Sequence, residues 1–234
     1  NKPLSDGRLN MILRDARNFL LTTRNEYDVI VSQPSNPWIR GESSLFSKDW
    51  YEIVKSRLRD DGLFLQWLPS YLMAEQDLKI VMHTFRSVFP HATLWTSGSI
   101  GDLILMGKQA GGLSVDYELF LAKLDNTAVF QDLTRLELKP RLIPFEHFVM
   151  NESQIGEYLY AGLNQALPLN TDNFLITEFM TPKRLVKQRK VPYFLEPDNL
   201  HGNLKGLSDI ITNFDEIELQ LQGAGASSNG ETAG

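Results

Sequence analysis

A strand that empties into a proline-braced polar loop constrains this chain more than anything else in it. Tyr27-Asp28-Val29-Ile30-Val31 is a compact β-branched run, and it leads directly into Ser32-Gln33-Pro34-Ser35-Asn36-Pro37-Trp38. A second apolar run, residues 63–68, follows the turn pair Asp61-Gly62. Near-continuous apolar strands of this kind suit a parallel sheet covered on both faces. Between the two runs Phe46, Trp50, Ile53, Val54 and Leu58 recur at helical spacing, and Leu78, Val81, Met82, Phe85 and Phe89 repeat the pattern afterwards. Ser44 or Ser47 suits the N-cap of the first helix, and Pro90 closes the second. Residues 9–13 read as a further short strand. Residues 92–96 and 102–106, on either side of a Gly-containing turn, read as a β-hairpin. Strands alternating with helices and ending in a hairpin predict an α/β sheet with a mixed edge.

The composition changes after Gly111. Residues 116–163 read as short helices joined by turns that contain Pro140 and Pro144. Asn170-Thr171-Asp172-Asn173 is a turn, followed by an apolar stretch. The expected division is a Rossmann-like core over 1–110 and a helical appendage with a C-terminal strand packed on the core over 111–190. An extension over 191–222 and a disordered tail over 223–234 complete it. That tail holds only Gly, Ala, Ser, Asn, Gln, Glu and Thr, which bury too little apolar area to offset ordering entropy. Lys183, Arg184, Lys187, Arg189 and Lys190 form a basic cluster, read first as a solvated helix face.

Several function classes drop out. The 234 residues contain no Cys, which excludes a disulfide scaffold, an iron–sulfur cluster and a thiol nucleophile. A net charge of −6 argues against a nucleic-acid-coating surface. No apolar run reaches the roughly 18 residues of a membrane helix. The glycine-rich nucleotide fingerprints, the serine elbow and His-Glu-x-x-His are all missing. His83, His91, His147 and His201 are scattered, so no metal site is expected.

Candidate chemistry concentrates at strand ends. In an open parallel sheet, ligands bind where the loops leave the carboxyl ends of the strands. Two prolines hold the Ser32–Trp38 loop in few conformations, which suits a site as well as a rigid turn. Asp15-Ala16 sits at the end of the expected strand 9–13. Its carboxylate suits an exocyclic amine such as that of adenine, and equally suits a helix N-cap.

These residues resemble the spermidine/spermine synthase family, and most closely its spermidine synthase-like branch. The likeness is carried by Asp15-Ala16-Arg17-Asn18-Phe19-Leu20, Tyr27-Asp28-Val29-Ile30, Pro34-Ser35-Asn36-Pro37-Trp38, Ser44-Leu45-Phe46, Tyr51, and Gly62 with Gln66-Trp67. Asn170-Thr171-Asp172 and Glu178-Phe179 extend it, so that it runs from about Leu4 to Leu185. The resemblance implies an S-adenosylmethionine-dependent methyltransferase-like Rossmann sheet, here partial at its N-terminal side. It implies decarboxylated S-adenosylmethionine or S-adenosylmethionine as co-substrate, no metal, and a small-molecule amine acceptor. It places Asp15, Ala16 and Ser32 at the nucleoside and Gln33 and Asn36 at the reaction face. Tyr51, Gln66 and Trp67 would line or support the acceptor side, although Tyr51 and Trp67 also fit core positions.

Two departures qualify what the resemblance implies. The family's two loop carboxylates fall on Gln33 and Asn36, and an amide neither accepts a proton at neutral pH nor balances a polyamine's charge. Glu42, close downstream, is the nearest substitute. The Gly-rich first loop and the ribose-gripping acid would precede Leu4. The expectation is therefore a truncated parent, or a homodimer or partner chain that supplies those strands, with a cytoplasmic location as the soluble domain of a longer, membrane-associated parent. Three readings stay open: an aminopropyltransferase-like enzyme, a silent binding or assembly module of the same fold, and a methyltransferase.

Overall fold

Burial alternates over residues 62–68, within the longest strand among the described residues, and that alternation sets the architecture. In this computed structural model, which describes residues 3–97, 101–125, 127–162, 165–185 and 203–214, β1 spans Tyr27–Ser32 and β2 spans Leu58–Pro69. Phe64, Gln66 and Leu68 of β2 are fully buried, while Leu63, Leu65 and Trp67 between them are half-buried. Period-two side-chain direction makes this one packed face and one partly open face.

The packed face lies under helices α2 (Lys48–Lys55) and α3 (Glu75–Arg86). Tyr51, Phe64, Phe85 and Phe89 form its centre, with ring centroids 5.2–5.9 Å apart. Strand β3 (His91–Thr96) and strand β4 (Asp102–Lys108) form the expected hairpin. A Cβ on Gly107 of β4 would come within 2.6 Å of the Phe85 ring, so only glycine lets this strand lie against α3. Ser47, not Ser44, caps α2, its hydroxyl accepting from the Trp50 N–H at 3.1 Å.

The sheet order is β1-β2-β4-β3-β6, where β6 is Phe148–Met150. Within this sheet only β1 and β2 are parallel neighbours; its other pairings are antiparallel. The fold is thus mixed α/β, with a sheet more antiparallel than alternating strands and helices alone suggested. Strand β6 was not foreseen, because three residues between helices carry no period. A small parallel pair, β5 (Val115–Asp116) with β7 (Ile211–Thr212), joins α4 (Tyr117–Leu124) in a second cluster around Tyr117, Phe145, Phe148 and Leu207. Helices α5 (Ala128–Arg135), α6 (Ile143–His147) and α7 (Glu152–Tyr160) make the described part of residues 116–163 largely short helices. The apolar stretch after the Asn170 turn is a helix, α8 (Ile176–Leu185), not a strand.

The expected strand at residues 9–13 does not form. Leu9, Met11, Ile12 and Leu13 are exposed, and no strand among the described residues lies beside them. An extended segment without a ladder partner leaves its backbone groups to water, so apolar content alone did not make it a strand. The basic residues Lys187, Arg189 and Lys190, most of the extension and the tail from Gly223 lie outside the described residues.

Candidate functional site

Helix α1 (Ala16–Thr22) opens immediately after Asp15, whose carboxylate accepts from the Asn18 N–H at 2.7 Å. Asp15 is therefore an N-cap, and its side chain is exposed. Arg17, the second residue of the helix, pairs with Asp172 and also donates to the Ser44 carbonyl at 3.3 Å. Asp172 in turn accepts from the Ser47 hydroxyl at 2.7 Å, and its N–H donates to Asp49 at 2.9 Å. The turn at 170–173 is thereby tied to the start of both helices that flank β1.

Asn170 anchors the same turn from within. It is fully buried; its amide donates to the Phe46 carbonyl at 3.1 Å and its own N–H donates to Thr84 Oγ1 at 2.9 Å. The Ser43 and Thr177 hydroxyls meet at 2.7 Å beside it. These bonds hold the short helical turn Glu42–Phe46. Glu42 then accepts the Ser35 N–H at 3.1 Å, which fixes the middle of the Ser32–Trp38 loop. A network of buried polar groups, each with a partner, is what gives a loop a single geometry.

The loop and the N-terminus of α1 border one cavity of about 660 Å³. Ala16, Ser32, Gln33 and Pro34 line it, together with Arg14 and the apolar Ile12, Val29, Ile30 and Val31. Mostly apolar walls with a few convergent polar groups are the usual make-up of a small-molecule site, and the volume falls in the roughly 300–1,000 Å³ range for such sites. The lining combines apolar side chains with Ser32 and Gln33 as polar groups.

The structure brings some of the nominated residues together and separates others. Ala16, Ser32 and Gln33 share the cavity; Asp15 borders its helix but spends its carboxylate on the cap. Asn36 lies beyond the cavity lining, and its Oδ1 accepts from the Tyr71 hydroxyl at 3.1 Å. Tyr51 is fully buried against Phe64 and Phe85, and burial pushes its phenol well above the ordinary range. Gln66 is also fully buried, donating to the Trp67 carbonyl at 3.0 Å. Trp67 is half-buried on the opposite face of β2. Tyr51 and Gln66 thus offer no surface to an acceptor; their place is the packed side of the sheet.

Sequence reasoning missed Tyr71 and Arg14. Tyr71 follows β2 as the Ser32–Trp38 loop follows β1, so the carboxyl-end rule would have found it had it been applied to both parallel strands. Its loop is well held. Ser70 donates to the Gly101 carbonyl through its N–H at 2.7 Å and its hydroxyl at 3.1 Å. Leu72 sits at φ +60°, a left-handed conformation that costs a non-glycine residue energy and that the surrounding contacts must maintain.

Residues 1–97 match the spermine/spermidine synthase domain. The polyamine aminopropyltransferase of Caldicellulosiruptor saccharolyticus is 29% identical over 92 residues, covering 39% of this chain and 33% of that protein. That of Buchnera aphidicola from Acyrthosiphon pisum is 34% identical over 89 residues, covering 38% and 31%. The matched region therefore spans about a third of these relatives. Among solved structures, a probable spermidine synthase from Corynebacterium glutamicum aligns at TM-score 0.43 with 17% identity, over 66% of this chain and 55% of that one. The resemblance to spermidine/spermine synthases is thus shown for residues 1–97, which include every strand-end residue of the cavity.

Proposed function

We propose that this chain carries part of a spermidine synthase-like transferase that acts on an adenosyl sulfonium ligand. The observation that supports it is the cavity shared by Ala16 of α1 and Ser32–Pro34 at the end of β1, inside the region that matches the synthase domain. In this reading Ala16 and Ser32 face the nucleoside and Gln33 and Asn36 border the reaction face. The sulfonium ligand, decarboxylated S-adenosylmethionine or S-adenosylmethionine, supplies the activated carbon. The acceptor's lone pair forms a bond to that carbon, the carbon–sulfur bond breaks, and the thioether nucleoside leaves. Neither amide takes up the acceptor's proton, so it passes to solvent.

Calorimetric titration of the natural polypeptide with methylthioadenosine, decarboxylated S-adenosylmethionine and S-adenosylmethionine tests this. Saturable heat with at least one of them is expected, and none with any removes the proposal. The ligand that binds most tightly separates aminopropyl from methyl transfer.

The two amides favour a second reading, a binding module that keeps the fold without the chemistry. The double variant Gln33→Asp with Asn36→Asp distinguishes the two. Amine-dependent release of methylthioadenosine that is found only in the double variant makes the native protein the silent module. Release by the native protein makes it the enzyme.

A further inference from the structure

Helix α1 is too short to hold its own direction. It has seven residues, and isolated helices below about 12 residues are marginal in water. Leu20, near its end, is its one buried residue, and Phe19 beside it is half-buried. The Arg57 guanidinium secures the same end by donating to the Leu20 carbonyl at 2.9 Å. None of Ala16, Arg17 and Asn18 in the first turn is buried, yet Ala16 lines the cavity. Among the described residues, the side-chain bonds that leave this turn run through Arg17.

Arg17 is gripped with a defined geometry. Its Nη1 donates to one Asp172 oxygen at 3.1 Å and its Nη2 to the other, while Nη1 also meets the Ser44 carbonyl at 3.3 Å. Two-pronged pairs between a guanidinium and a carboxylate fix direction as well as distance. The two side chains are only 21% and 35% exposed, so water and salt screen them less than a fully exposed pair. Asp172 is itself held. Its Oδ1 accepts the Ser47 hydroxyl at 2.7 Å, and its N–H donates to Asp49 Oδ2 at 2.9 Å. Ser47 caps α2, and Asp49 lies in that helix's first turn. Leu45 and Trp50, which flank these two residues, line the same cavity as Ala16. One carboxylate thus ties together two stretches of the lining that are far apart in sequence. It comes from a turn outside residues 1–97, the part that matches the synthase domain.

We propose that Asp172 is a positioning residue for the cavity: through Arg17 it holds the first turn of α1, and with it Ala16, in place against the Leu45–Trp50 stretch. Neither Asp172 nor Arg17 lines the cavity, so they act on a ligand through the residues they hold. That the ligand is an adenosyl compound rests on the reading above; the hold itself does not.

Calorimetric titration with methylthioadenosine compares the natural polypeptide with Asp172→Asn, Arg17→Gln and the double variant. Asp125→Asn is the control, since it breaks the Arg141–Asp125 pair at 2.9 Å, whose residues are not part of the lining. Each single variant is expected to bind at least about threefold more weakly, the size of one partly exposed ion pair. The double variant should bind no more weakly than the worse single one, and the control should match the parent. Unchanged binding by Asp172→Asn overturns the proposal, and so does an equal loss in the control, which would mark general loosening. A double variant that loses the product of the two single losses shows independent action and overturns it too. Amide exchange without ligand reads the hold by itself. The Asn18 and Phe19 N–H groups, bonded to Asp15 at 2.7 and 2.9 Å, should exchange faster in Asp172→Asn and at the parental rate in Asp125→Asn. If methylthioadenosine binds no form of the protein but exchange rises as expected, the nucleoside reading falls and the hold stands. If it binds the parent and exchange is unmoved, the hold falls and the nucleoside reading stands. No binding with no change in exchange removes both.

Discussion

The aromatic cluster beneath β2 and the rim at the end of β1 are built from residues that look alike in the sequence, and they have opposite fates. Tyr51 and Gln66 are fully buried in the first. Gln33 is exposed in the second, and Asn36 is half-buried beside an exposed Tyr71. Around the first, each ring has ring partners within about 6 Å. Around the second, Val29 and Val31 are 53% and 67% exposed, and among the described residues β1 has a ladder partner on one side only. The first region is finished by its own contacts; the second keeps polar groups and apolar area available. Stability and function therefore separate by position along neighbouring strands, and substitutions should separate them too.

The largest effect is expected in the cluster. Phe85→Ala removes a ring packed on Tyr51, Phe64 and Phe89, and urea unfolding should show a loss of about 3–5 kcal/mol. A loss below 1 kcal/mol would mean that the cluster is not the centre of the core.

Asn170→Ala comes next. It strips the donor from the Phe46 carbonyl and the acceptor from the Thr177 N–H, both buried. Leaving such groups unpaired costs about 1–3 kcal/mol each, so a drop of about 2–4 kcal/mol in the same measurement is expected. A smaller companion effect, weakened ligand binding through a loosened Glu42–Ser35 contact, would tie this latch to the rim.

On the rim the expected change is slight. Gln33→Ala removes an exposed side chain with no hydrogen bond among the described residues, so its unfolding free energy should stay within about 0.5 kcal/mol of the parent. A large destabilisation there would erase the contrast between the two regions.

The smallest effect concerns pH. Burial, with the nearby Arg86 charge, holds His83 below its ordinary value, and its ring meets the Tyr160 hydroxyl at 3.2 Å. The unfolded chain then takes up this proton more readily than the folded one. The contribution of His83 is accordingly present above about pH 6.5 and lost as the pH falls from there toward its lowered value. Thermal midpoints of His83→Gln should decline less than the parent's across that interval.

Much of this architecture was legible from residue order. Near-continuous apolar runs marked β1 and the later part of β2, period-3.6 runs marked α2 and α3, and the cap of α2 stood between Ser44 and Ser47. Residues 9–13 misled because a strand is a pairing and not a composition: Ile12 and Leu13 are as apolar as Ile30 and Val31, yet only the latter have β2 beside them. Strand β6 was hidden by its length. At the site, the loop of β1 stood out by its prolines, whereas Tyr71 was indistinguishable from any surface tyrosine until its bond to Asn36 was seen. Tyr51 and Gln66 were drawn to the site by likeness of motif, and only burial could show that they face the other way.

The most direct test follows backbone amide shifts while methylthioadenosine is added to the isotope-labelled natural polypeptide. Saturable shifts centred on Ala16, Ser32 and Gln33 are the expected result. Shifts confined to residues outside that cavity, or no shifts at all, would contradict a nucleoside held between the first helix and the tip of β1.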